Sequence, residues 1–147
     1  MRRVGWWIFG AAVLVRLIAL VSLPEPPLKG DAGDYERLAL SLAAGEGYVT
    51  PEGLPTAKRP PLYPALLAGV FGLFGHRLWV AYVLQGLMDA GSCALIWLIG
   101  RGLFGPVAGT VAGTLAVPYL SMIAASRMIL SETLFTFLLL VALWLLV

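Results

Sequence analysis

Two carboxylates and two cations are the groups best placed for chemistry in this sequence. Asp31 and Asp34 stand in Gly30-Asp31-Ala32-Gly33-Asp34-Tyr35, and Lys58 and Arg59 come at the end of the same polar stretch, before Pro60-Pro61-Leu62-Tyr63-Pro64. Segment 24–60 holds six of the eight acidic residues, Glu25, Asp31, Asp34, Glu36, Glu46 and Glu52. Farther along, Arg127 and Glu132 interrupt an apolar run. Carboxylates beside guanidinium and ammonium groups suit a reaction at an anionic substrate. Arg can grip a phosphate through two N–H donors, and Lys adds a point charge. A carboxylate can accept a proton from an attacking hydroxyl or amine. A phosphate leaving group is already anionic and needs charge stabilisation more than a proton, which explains a site richer in cations than in acids. Asp31 is the candidate catalytic group. Asp34, just before Tyr35-Glu36-Arg37, suits the cap of a helix or a second acid.

The elements that must position these groups are apolar. Of 147 residues, 60% are hydrophobic and only 12% charged, against about 25% charged in an average soluble domain. Long uncharged stretches approach the roughly 20 residues needed to cross a bilayer. A net charge of +2 without a basic run argues against a nucleic-acid partner. A single cysteine, Cys93, excludes an internal disulfide and a cysteine metal cluster, and a single histidine, His76, excludes a His-rich zinc site.

Residues 4–23 read as a first span, broken only by Arg16, which would lie about 10 Å below its far end. Arg2 and Arg3 precede it, so the positive-inside rule puts the N-terminus in the cytoplasm. The run is too long for a usual signal core and has no small-residue cleavage site before Pro24, so it is expected to stay as an anchor. An outer loop over 24–60 follows, with an amphipathic surface helix over 34–44 that Gly45 would end. A proline-primed apolar helix over 61–74 is short for a span. Spans are expected over 78–100, 107–125 and 131–147. Gln85 and Asp89, four residues apart, share a face of the first of these. Gly105, Gly109 and Gly113 form a small-residue stripe for close helix packing in the second. If 61–74 is interfacial or re-entrant, parity brings Glu132 to the outer face beside Asp31; if it crosses, the two lie on opposite sides.

The order of these features resembles membrane glycosyltransferases of the GT-C fold. The nearest groups are the protein mannosyltransferases with the lipid A aminoarabinose transferases, and bacterial lipopolysaccharide transferases of the Rgt type. The matching stretches are Gly30-Asp31-Ala32-Gly33-Asp34-Tyr35-Glu36-Arg37-Leu38-Ala39, Arg59-Pro60-Pro61-Leu62-Tyr63-Pro64, Arg101-Gly102-Leu103-Phe104-Gly105 and Ser131-Glu132-Thr133-Leu134-Phe135. The resemblance implies an all-α integral membrane protein, the N-terminal helices of a multi-span fold with an outer loop carrying a juxtamembrane helix. Relatives have many more spans, so the chain reads as a fragment of a longer transferase in a plasma or inner membrane.

The implied reaction moves a hexose or pentose from a polyprenyl-phosphate donor to a glycan, lipid or protein acceptor on the outer face. Asp31 matches the acid that serves as catalytic base, Arg59 the basic residue near the lipid phosphate, and Glu132 the second acidic position. Lys58, Asp34, Arg127 and Tyr63 complete the expected substrate-binding set. Many relatives carry Asp-Glu at the first motif, where this chain has Asp31-Ala32. No cofactor is implied, and a divalent metal is left open. The alternative is a non-catalytic protein, a truncated chain or a subunit that binds lipid phosphate. A transporter fits less well, because only Arg16 and Asp89 would put charge at mid-membrane.

Overall fold

The computed structural model describes residues 2–147; Met1 and the Arg2 side chain, on which part of the expected orientation rests, lie outside the described residues. The chain forms seven helices among these residues: α1 (Arg2–Ser22), α2 (Asp31–Ala43), α3 (Leu62–Phe74), α4 (Leu78–Phe104), α5 (Pro106–Ala116), α6 (Leu120–Ala125) and α7 (Glu132–Leu145). Two are long and apolar enough to cross a membrane, at Arg3–Ser22 and Leu78–Phe104. α3, α5 and α7 are apolar but shorter.

The centre is α4, which packs against α1, α5 and α7, while α2 lies on α3. Small residues set the α4–α5 distance. A Cβ on Gly109 would fall 2.5 Å from the Arg101 amide nitrogen and 2.7 Å from the Trp97 carbonyl oxygen, so only hydrogen fits between the two backbones. α4 runs through Phe104, past the turn expected from Arg101 onward, and Gly105 at φ 90° then turns the chain directly into α5.

A single helix over 107–125 is expected, and the backbone breaks it in two. Pro118 has no amide proton to donate, and the chain leaves the helix between Ala116 and Leu120. The Val117 carbonyl exposed at this break accepts a 2.6 Å bond from Nη1 of Arg16. Nε of the same guanidinium donates to Asp89 at 2.7 Å, in a pair whose side chains are 3% and 5% exposed. Asp89 therefore pairs with α1, while Gln85, on the same face, turns to other partners. Cys93 is buried beside Arg16.

The surface helix starts three residues earlier than its expected boundary at 34, with Gly30 as N-cap, and Gly45 at φ 79° follows its C-cap. Ala32, Tyr35, Leu38 and Ala39 form its buried face, and Ala32, Tyr35 and Ala39 join Tyr63, Leu67, Phe71 and Tyr82 in one core cluster. α2 is thus packed on protein along its apolar side. His76 meets Glu36 at 2.8 Å and the Phe71 ring edge-on, which ties α2 to the α3–α4 turn.

Candidate functional site

The site is assembled on the first turn of α2. Asp31 and Asp34 stand three residues apart, so both project from one side of the helix. Asp31 is exposed, and its carboxylate accepts from Nη2 of Arg59. Asp34 is buried, with a side chain 9% exposed, and it gathers three cations: Lys58 Nζ at 2.7 Å, Arg59 Nη2 at 2.9 Å and Arg37 Nη2 at 2.5 Å. Asp34 does not cap α2. No side chain caps this helix, because its start at Asp31 places Asp34 a full turn inside. The hydrogen bonds from Lys58, then Arg59 and Arg37, outweigh burial and lower its carboxyl from 3.8 to about 2. Asp34, then Asp31, in turn holds the Arg59 guanidinium above its ordinary pKa.

Arg59 is held from three sides. The two carboxylates fix its head, its guanidinium lies 5.5 Å from the centre of the Tyr35 ring, and its carbonyl accepts a 2.8 Å bond from the Tyr48 hydroxyl. An isolated bridge between Val49 and Pro55 folds the 46–58 loop back. An open cleft of about 1020 Å³ lies between α2 and this loop, walled by Asp34, Arg37, Ser41, Glu46, Thr50 and Lys58.

Beneath the charges lies an aromatic floor. Tyr35 and Tyr63 meet edge to face at 5.0 Å, and the Tyr35 hydroxyl is 3.1 Å from Oγ of Ser131. This contact brings the start of α7, with Glu132 as its first residue, to the same end of the molecule as Asp31 and Asp34. Burial, with Tyr82 and Glu132 nearby, pushes the Tyr63 hydroxyl above its ordinary pKa. Tyr63 is only 2% exposed and its hydroxyl donates downward to Gln85, so it lies under the cluster and does not wall it.

Glu132 is exposed and makes no ion pair with Arg127. Nη2 of Arg127 instead donates at 2.8 Å to the carbonyls of Leu23 and Pro24, at the exit of α1. Asp31, Asp34, Lys58 and Arg59 are therefore joined by direct contacts, Glu132 lies at the same end of the molecule, and Arg127 is turned to backbone. Among the described residues, no three His, Cys, Asp or Glu side chains come together as metal ligands. Sequence reasoning missed Arg37, although its position three residues after Asp34 could have flagged it. The Tyr35 ring, which carries Arg59, likewise had no site role assigned from the sequence.

Two helices long and apolar enough to cross a membrane, with a cation–carboxylate cluster at one end, are the arrangement of an all-α membrane protein. A profile of the dolichyl-phosphate-mannose-protein mannosyltransferase family matches residues 58–147, and the chain belongs to that family of GT-C type membrane glycosyltransferases. The matched segment carries Lys58, Arg59, Tyr63, Arg127 and Glu132, while Asp31 and Asp34 precede it. No curated protein and no solved structure matches the chain.

Proposed function

We propose that this chain carries the charged half of a transferase site that moves a sugar from a polyprenyl-phosphate donor to an acceptor on the outer face of a cell membrane. The observation that supports this most is the position of Arg59, held between Asp31 and Asp34 with Lys58 on the same carboxylate. Arg59 and Lys58 bind the donor phosphate and take up the charge that grows on it as the glycosidic bond breaks. Asp31 accepts the proton of the attacking hydroxyl or amine. It suits this task better than Asp34, because it is exposed and carries one cation where Asp34 is gripped by three. Asp34 anchors the two cations. The cleft behind Asp34 gives room for the sugar or the acceptor. Glu132 stands across the floor as the second acid.

The contact between Tyr35 and Ser131 supports the topology in which 61–74 does not cross the bilayer, since Glu132 then shares the outer face with Asp31. The test is transfer of radiolabelled mannose from polyprenyl-phosphate mannose by membranes containing the protein. Asp31→Asn is expected to abolish transfer with expression intact, and Arg59→Ala to weaken donor use. Transfer at wild-type rates in both variants would remove the basis for this reading. Donor binding without transfer in the wild-type protein would favour a lipid-phosphate-binding subunit.

A further inference from the structure

Gln85 is among the most deeply buried polar side chains, at 1% exposure, and it belongs to none of the charged groups above. Its Oε1 accepts from the Tyr63 hydroxyl at 2.7 Å, and its Nε2 donates to the carbonyls of Met128 at 2.8 Å and Ser126 at 3.3 Å. The amide orientation is fixed by its partners. Two carbonyls demand the NH2 group, which leaves the oxygen for Tyr63 and makes the tyrosine the donor.

Those carbonyls lie in the irregular stretch between α6 and α7, where that of Met128 also accepts from the Leu130 amide at 2.8 Å. A buried backbone oxygen needs a donor, and for the carbonyl of Ser126, a residue only 1% exposed, Gln85 supplies it. The same stretch contains Arg127, ends at Ser131 and leads into Glu132. Ser131 contacts Tyr35, Tyr35 packs on Tyr63, and Tyr63 returns to Gln85. The contacts form a closed ring through α2, α3, α4 and the α6–α7 connection, with Gln85 as the link that joins the floor of the charged cluster to the connection.

We propose that Gln85 is a positioning residue: through Tyr63 and the 126–128 carbonyls it sets where Glu132 and the start of α7 stand relative to Asp31 and Arg59. The positional part stands alone; its effect on turnover rests on the transferase reading. A methionine at this position keeps the length and loses all three bonds, so the connection is released from Tyr63 while the apolar contacts of Ile129 remain. Misplacement on the scale of an ångström at a reacting centre is enough to cost about 100-fold in rate.

The test compares wild type, Gln85→Met, Tyr63→Phe and the double variant in lipid nanodiscs. Amide hydrogen exchange is read over 126–132, with the α2 and α4 amides as internal reference. Exchange over 126–132 is expected to accelerate at least about tenfold in Gln85→Met while the reference helices hold. The double variant is expected to add little to either single change, as for residues acting in one chain of contacts. With polyprenyl-phosphate mannose as donor, kcat is expected to fall while KM changes less than about twofold. Unchanged exchange over 126–132, acceleration spread equally over α2 and α4, or an unchanged kcat with only a lowered melting temperature would each overturn the positioning role. Absence of wild-type transfer would count against the transferase reading, and the exchange result would still decide the placement of the connection.

Discussion

Replacing Asp34 by Asn probes the charged cluster without changing its shape. The carboxylate answers three cations, at 2.5, 2.7 and 2.9 Å. Its carboxyl is held at about 2, against an ordinary 3.8. At about 1.4 kcal/mol per pH unit, that corresponds to roughly 2.5 kcal/mol before screening. Two of the cations face solvent, with Arg37 58% and Lys58 64% exposed. Exposed pairs are individually worth about 0–1 kcal/mol, so about 1 kcal/mol is a reasonable net figure. The folded-state pKa is depressed, so this stabilisation is fully present above pH 3.8 and is lost as pH falls toward about 2. The assay is thermal unfolding in nanodiscs between pH 6 and pH 2, for the wild type and Asp34→Asn. The variant is expected to be less stable by about 1 kcal/mol at pH 6 and to converge on the wild type at the acid end. Equal stabilities at pH 6, or parallel curves down to pH 2, would refute the cluster as drawn.

Two further outcomes test the frame beneath the site. Arg16→Leu or Asp89→Leu alone leaves one buried charge unpaired and is expected to cost about 3–5 kcal/mol, whereas the double replacement should recover much of that; chemical unfolding in detergent micelles measures both. Gly109→Val puts a branched side chain where even a Cβ would lie 2.5 Å from backbone. It is expected to push α5 off α4 and cost about 1–3 kcal/mol, read as a lower melting temperature, while an equal change at exposed Gly10 should cost less.

Much of the helical order is legible from hydropathy, since α1 and α4 are long apolar runs bounded by charge or proline. The break at Pro118 was missed because a hydropathy window reads through a single proline that the backbone cannot accommodate. The charged cluster was legible as composition: acids and cations crowd into one polar stretch. How it is arranged was not. A shift of three residues in the start of α2 decides whether Asp34 caps the helix or stands inside it, and sequence patterns do not resolve helix starts that finely. Arg16 and Asp89 are 73 residues apart, and Gln85 and Met128 are 43 apart. Pairings at such separations follow from how the helices pack, and local spacing carries no trace of them. The same is true of Arg127, which reaches back across more than 100 residues to the end of α1.

The measurement that bears most directly on the proposed chemistry is the turnover of Asp31→Asn beside that of Asp34→Asn, with polyprenyl-phosphate mannose as donor. If Asp31 accepts the acceptor's proton, Asp31→Asn should lower kcat by at least about 100-fold with donor KM nearly unchanged. Asp34→Asn should act mainly on donor KM, because it loosens Lys58 and Arg59. Near-normal kcat in Asp31→Asn would contradict the assignment of the base.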